Sequence, residues 1–202
     1  NTDATLSFGT SISNIGNKIS YTDNAYRDFL PTNLRIGTAL NMRFDKYNSL
    51  TATVDFNKLL VPTPPKYDSD GNISSGMDPN VGVVSGILHS FYDAPGNFLD
   101  STNNTVKKNS RFGEELREIN IGGGFEYWYS STLAVRVGYF NEHPSKGARQ
   151  YLTFGAGVYY SVFGIDVSYL AAFSRTNPLA NTVRFRSEET RLNSSHRLTS
   201  RM

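Results

Sequence analysis

The sequence predicts an all-β fold, a transmembrane antiparallel β-barrel with a short helix in one long extracellular loop. Three observations favour this fold class. Apolar and polar residues alternate in eight segments, the connections between those segments are short and long in turn, and no apolar run approaches the roughly 18 residues of a membrane helix. A soluble sandwich or a lipocalin-like barrel, whose strands alternate in the same way, is the main alternative.

The eight alternating segments mostly have the length of tilted, membrane-crossing strands. In the clearest one, Leu34 and Ile36 share one face, and Arg35 and Arg43 share the other. The last segment has the pattern of a strand that is cut short. The predicted strands cover residues 6–15, 34–43, 49–57, 119–129, 133–140, 151–160, 165–173 and 182–185.

The connections favour a membrane barrel over a soluble one. Residues 44–47, 130–131 and 161–164 form short connections, whereas 16–33, 58–118, 141–150 and 174–181 form longer ones. Outer-membrane barrels have short periplasmic turns and longer external loops. The apolar face is then lipid-facing, and charged residues on the opposite face point into the lumen. These lumen-facing polar residues are Arg35, Arg43, Asp55, Glu126 and Arg136. We expect them to form a structural ion-pair network, with Asp55 pairing Arg35 or Arg43, rather than a solute path.

The longest connection, residues 58–118, has structure of its own. Three prolines at 62, 64 and 65 exclude a regular strand, and a helical apolar stripe follows them. A second helix is predicted over 110–118, with Arg111 paired to Glu115. The stripe either binds a protein partner as an exposed ridge along Val83, Ile87 and Phe91 or packs over the barrel mouth. The candidate partner-binding residues are Tyr26, Phe29, Leu30, Val83, Val84, Ile87, Leu88 and Phe91.

The excess of basic residues comes from the C-terminal segment. The chain has 20 Lys and Arg against 18 Asp and Glu, but residues 186–202 hold four of the arginines and two of the glutamates. Without this segment, basic and acidic residues are equal in number, so the net charge does not indicate nucleic-acid binding. The string Arg-Ser-Glu-Glu at 186–189 back-translates to a common sequencing adapter. We therefore interpret residues 186–202 as adapter read-through outside the fold, which leaves residues 1–185 for the barrel.

The sequence contains no credible catalytic set, so we expect no enzymatic activity, cofactor or metal. There is no cysteine, which excludes thiolate metal sites and cysteine nucleophiles. The stretch 68–72 begins like a calcium loop, but Pro79 stands where the bidentate Glu is needed. Neither His89 nor His143 has further ligands at suitable spacing. The glycines 122–124 lie within a strand, where they allow close approach of another backbone.

Several stretches together resemble the PorV family of the type IX secretion system of Bacteroidota. They lie at residues 6–9, 12–21, 29–35, 44–50, 55–65, 90–96, 125–129 and 136–140. The resemblance implies a FadL-like outer-membrane barrel of about fourteen strands, of which the last eight are present here. It also implies a transport role: receiving cargo with C-terminal secretion domains from an SprA-like translocon and delivering it to a PorU-like sortase complex. The alternative is a FadL-type channel for hydrophobic small molecules.

Overall fold

Long antiparallel strands dominate the computed structural model of the chain. It describes residues 3–20, 27–96, 98–100, 105–106, 110–173 and 182–189. The helices are α1 (Val83–His89) and α2 (Ser110–Arg117), and a 3₁₀ turn spans Pro144–Lys146. In chain order the strands are β1 (Asp3–Ser13), β2 (Asn33–Arg43), β3 (Asn48–Leu59), β4 (Lys66–Tyr67), β5 (Ile73–Ser75), β6 (Phe98–Asp100), β7 (Thr105–Val106), β8 (Ile119–Tyr129), β9 (Leu133–Asn141), β10 (Gln150–Tyr160), β11 (Phe163–Ala172) and β12 (Thr182–Glu189).

The eight long strands form one antiparallel sheet in the order β1-β2-β3-β8-β9-β10-β11-β12. Each strand therefore pairs with its neighbour in sequence, except where the long connection separates β3 from β8. All eight predicted strands are present, with ends that differ by a few residues. The predicted antiparallel all-β fold is confirmed, and β1 and β12 are the edges of a sheet that is not closed within the described residues. The described helices are all too short or too polar to cross a membrane.

The register aligns apolar residues with apolar residues across the whole sheet. One cross-strand row consists of Leu6, Leu40, Ala52, Phe125, Val137, Phe154, Tyr169 and Val183. Large side chains of this face are exposed, including Phe8 at 75 % and Phe125 at 56 %. Among the described residues, the buried hydrophobic side chains, prolines apart, are only Leu60, Ala94 and Ala134. The apolar side chains thus line an uncovered face instead of filling a core.

The short connections are tight turns, as predicted. Residues 44–47, 130–132 and 161–162 join the paired strands, and Ser130, Ser131 and Ser161 have positive φ. Positive φ suits tight hairpin turns, whose twist matches that of the strands. The glycine prediction is also confirmed at Gly124, where an added Cβ would lie 2.7 Å from the carbonyl oxygen of Val137.

Two features differ from the predictions. The long connection contains two small hairpins, β4–β5 and β6–β7, in addition to its helices. Residues 186–189, which we placed outside the fold, continue β12 to Glu189 and pair with β11. The edge of β11 offers unpaired backbone N–H and C=O groups, which any extended segment can bond whatever its side chains.

Candidate partner-binding surface

The long connection folds into a layer at one end of the sheet. We define this loop layer as residues 60–96 together with residues 110–118. Its anchor on the sheet is Lys58, which lies near the end of β3 and is only 7 % exposed. The Lys58 Nζ lies 3.1 Å from Glu115 Oε2 and 2.8 Å from Glu118 Oε2. A buried ammonium group therefore ties the end of β3 to α2 and to the residue just after it.

Glu118 connects the loop layer to a second connection. Lys146, in the 3₁₀ turn, lies 2.9 Å from Glu118 Oε1 and 3.2 Å from Glu114 Oε1. The Thr63 hydroxyl donates to Glu118 Oε1 at 2.8 Å. Burial pushes the pKa of Glu118 upward, but hydrogen bonds from Lys58 and Lys146 outweigh burial, and the pKa lies below its usual value. The Glu118 carboxylate therefore stays charged and holds both lysines.

Glutamates of α2 also fix the segment that follows α1. Glu115 Oε1 accepts from the backbone N–H of Ala94 at 2.8 Å, and Glu114 Oε2 accepts from that of Gly96 at 2.7 Å. The preceding residue, Asp93, is 1 % exposed and accepts from the backbone N–H of Thr63 at 2.9 Å. Burial raises the pKa of Asp93. These bonds join α1, α2 and the proline-rich stretch into one unit.

The connection of residues 142–149 is closed by its own ion pair. Arg149 donates to both carboxylate oxygens of Glu142, at 2.7 and 2.8 Å. The hydrogen bonds from Arg149 lower the pKa of Glu142, whose side chain is buried. Such a bidentate pair fixes orientation as well as charge. It gives Lys146 a defined position beside α2.

Helix α1 divides the predicted apolar stripe between two faces. Gly86 is buried, and a Cβ there would lie 2.6 Å from the Phe29 ring and 3.2 Å from Pro62. Phe29, Leu30, Val83 and Ile87 are half-buried, which indicates packing rather than free exposure. Tyr26 lies outside the described residues.

The exposed face of α1 differs from the predicted ridge. Val84, Leu88 and Phe91 are exposed, at 74 %, 57 % and 48 %. The exposed ridge therefore runs along these three residues, whereas Val83 and Ile87 of the predicted stripe are half-buried, which agrees better with the packing alternative. The reason is that Gly86 admits Phe29, which fixes the rotation of the helix. One face of α1 packs against Phe29 and Pro62, whereas Val84 and Leu88 on the other face have no cover from the described part of the chain.

Helix α2 adds a second exposed apolar pair that the sequence analysis missed. Phe112 and Leu116 are 68 % and 52 % exposed and follow at i, i+4 spacing. Together with Phe91 they line a groove of about 270 Å³ over the apolar face of the sheet. The i, i+4 spacing of Phe112 and Leu116 was the sequence signal that could have revealed this pair. The predicted pair of Arg111 with Glu115 was also wrong, since Glu115 bonds Lys58 and Arg111 reaches the Ser75 hydroxyl at 3.4 Å.

The five polar residues predicted to face the lumen share one face of the sheet by register. Of these five, Glu126 and Arg136 take part in the ion pairs of that face. Arg136 pairs with Glu126 and, at 2.6 Å, with Asp166 on β11. The Tyr159 hydroxyl donates to Asp166 at 2.6 Å, and the Trp128 indole donates to Glu126 at 2.6 Å. The ion-pair network is therefore centred on Arg136.

The predicted partners of Asp55 were wrong for the described part of the chain. Arg35 lies opposite Asn57 and donates to its side-chain oxygen at 2.7 Å. Asp55 lies opposite Gly37, and Arg43 lies opposite Ser49. Ser49, which lies opposite Arg43, is six residues before Asp55 on β3. At about 3.3 Å per residue, this separation puts Arg43 out of reach of Asp55. The cross-strand register, which the sequence did not specify, decides these pairs.

A wide antiparallel sheet with one uncovered apolar face, tight turns at one end and a structured loop layer at the other is typical of β-barrel proteins, here with the barrel not closed. Residues 1–66 match the family model described as "Type IX secretion system protein PorV". This match covers β1 to β3 and the start of the loop layer, and it supports the resemblance of the chain to the PorV proteins of the type IX secretion system. No curated protein matches the chain.

Proposed function

We propose that the chain is part of an outer-membrane protein that receives secreted cargo from an SprA-like translocon and delivers it to a PorU-like attachment complex. The cargo would carry a C-terminal secretion domain. The match of residues 1–66 to the PorV family carries this proposal. The fold adds two features that suit the role, namely an apolar sheet face and a rigid loop layer with exposed apolar ridges.

The apolar face supports a membrane position. Its exposed aromatic and aliphatic side chains extend from β1 to β12 and have no protein cover in the described residues. Each apolar side chain of this size favours a non-aqueous environment by roughly 1.5–3 kcal/mol. The backbone polar groups between the paired strands are already bonded in the ladder, as a lipid environment requires. A bilayer would therefore cover the face at no cost in unpaired polar groups.

The loop layer supports a binding role at the membrane surface. Its exposed residues Val84 and Leu88 stand on α1, and Phe91 follows just after that helix. Packing of Gly86 against Phe29 holds α1, and the hydrogen bond from the Ala94 N–H to Glu115 holds the segment after it. A ridge fixed before binding loses little conformational entropy when a partner covers it. Apolar side chains on such a support are typical anchors of protein interfaces.

The FadL-type channel is the less favoured candidate. A channel for hydrophobic solutes needs an apolar lumen, whereas the face opposite the lipid-facing one carries Arg35, Asp55 and the charged group around Arg136. Burial of a hydrophobic solute against these groups would remove water from charges without replacing its hydrogen bonds. Uptake of labelled fatty acid that depends on this protein would favour the channel instead.

A substitution on the exposed ridge tests the proposed function. In the full-length protein we expect Leu88→Asp to lower co-purification with the translocon and with cargo by about tenfold or more, because a central apolar anchor is worth around 2 kcal/mol. The matched control is Ile73→Asp, since Ile73 is also exposed but lies in the β4–β5 hairpin. If a folded Leu88→Asp protein co-purified with the translocon and with cargo as well as the wild type does, the proposal would be contradicted.

A further inference from the structure

The loop layer forms a groove on the outside of the sheet, on the same face as the exposed apolar rows. Its floor consists of Leu34, Ile36, Phe56 and Ile119, and its wall consists of Phe91, Phe112 and Leu116. We call this site the outer groove, with a volume of about 270 Å³. Its floor is continuous with the rest of the apolar face, because Phe56 lies directly opposite Ile121, which is 41 % exposed. A ligand on the apolar face could therefore enter the outer groove from the side.

The chemistry of the outer groove favours a ligand without charge or amide groups. The polar side chains that line it already have partners: Lys58 pairs with Glu115, and the side-chain oxygen of Asn57 accepts from Arg35. The groove lies over the face of the sheet, where the backbone groups already bond along the ladder, and not at an edge. A peptide backbone inserted there would lose its hydrogen bonds to water without gaining others. A hydrocarbon chain has no such requirement.

We propose that the outer groove holds one acyl chain of a membrane lipid. This inference rests on the proposed membrane position of the sheet. The lipid source follows from the continuity of the groove with the apolar face, where acyl chains would already lie against Ile121 and its neighbours. The acyl chain passes between Phe56 and Leu116 and covers the exposed parts of Phe91 and Phe112. Lipid contact thereby holds α2, and through Glu115 the loop layer, at the membrane surface.

Photo-crosslinking of lipid to the full-length protein tests this site. The protein is placed in nanodiscs containing phosphatidylethanolamine with a diazirine near the end of one acyl chain, and labelled peptides are identified by mass spectrometry. We expect label on α2 and on the segment of Phe91, reduced at least fivefold by Leu116→Asp. Leu116 is half exposed, so the variant leaves the fold intact. The control Ile73→Asp, at an exposed residue of the β4–β5 hairpin that does not line the groove, leaves the labelling unchanged.

The outcomes separate the two proposals. Label on the peptides of Val135 and Val137 with none on α2 would overturn the groove and keep the membrane position. Label on neither would contradict the membrane position itself. Equal α2 labelling in Leu116→Asp and wild type would overturn the groove as the binding site. Loss of label on adding free fatty acid, but not on adding unlabelled phospholipid, would identify a fatty acid as the ligand and overturn the lipid assignment.

Discussion

Replacement of Lys58 by methionine is expected to release the loop layer from the sheet. The Lys58 ammonium is the shared partner of Glu115 and Glu118, and all three side chains are about nine-tenths buried. Removing one partner of a buried ion pair leaves an uncompensated charge and costs about 3–5 kcal/mol. Here two carboxylates lose their cation, although Glu118 keeps Lys146. We therefore expect a cost of about 3 kcal/mol or more.

Hydrogen exchange of the full-length protein measures this release. Amide protection in residues 60–96 and 110–118 should fall by about 100-fold in Lys58→Met, while the strands keep theirs. Lys46→Met is the matched control, because Lys46 lies in the exposed β2–β3 turn and has no buried partner there. Unchanged protection of the loop layer in Lys58→Met would show that other contacts hold it.

The same variant should change the pH dependence of the loop layer. The folded-state pKa of Glu118 is lowered, so its contribution to stability is present above the unfolded value of about 4.3 and is lost as the pH falls through the lowered folded value. The wild-type loop layer should therefore remain protected at pH 5. Without Lys58 the pKa of Glu118 rises, and opening should begin at a higher pH.

Replacement of Arg136 by alanine should destabilise the sheet itself. Arg136 bridges Glu126 on β8 and Asp166 on β11, and its guanidinium lies 5.5 Å from the centre of the Trp128 ring. Without it the two carboxylates lose their common cation. Arg136 is partly exposed, with 31 % of its side chain accessible, so solvent reduces the cost to about 2 kcal/mol, below that of a fully buried pair.

Urea unfolding of the full-length protein in lipid vesicles measures this loss. The control Arg43→Ala lies on the same face, is exposed and faces Ser49 across the β2–β3 pair, so it should change stability by less than about 0.5 kcal/mol. Arg136→Lys keeps one charge but cannot reach both carboxylates, so an intermediate value is expected. Equal stability of Arg136→Ala and Arg43→Ala would contradict the role of the network.

The fold was predictable because strand alternation is a local signal. Each of the eight long strands could be identified from the period of its own side chains, as in Leu34 and Ile36 against Arg35. The pairing partners of individual charges were not predictable, because they depend on register. A register shift of two residues, which keeps every side chain on its face, decides whether Arg35 lies opposite Asp55 or Asn57, and nothing in either strand alone distinguishes the two.

The loop layer was harder to predict than the strands. The apolar residues of α1 were found, but which of them are exposed depends on Phe29, which lies more than fifty positions earlier and packs against Gly86. The Lys58 pairs join residues nearly sixty positions apart. Such contacts are tertiary and leave no periodic pattern in the sequence. Only the spacing of Phe112 and Leu116 was a local signal that could have been used.

In the proposed membrane position, the sheet crosses the outer membrane with the loop layer outside and the tight turns inside. The chain contains no cysteine, so single thiols can be introduced at the exposed residues Ser69, in the β4–β5 hairpin, and Lys46, in the β2–β3 turn. In intact cells, a maleimide too large to pass porins should label Ser69→Cys, and it should label Lys46→Cys only after the outer membrane is disrupted. Labelling of Lys46→Cys in intact cells would contradict this orientation.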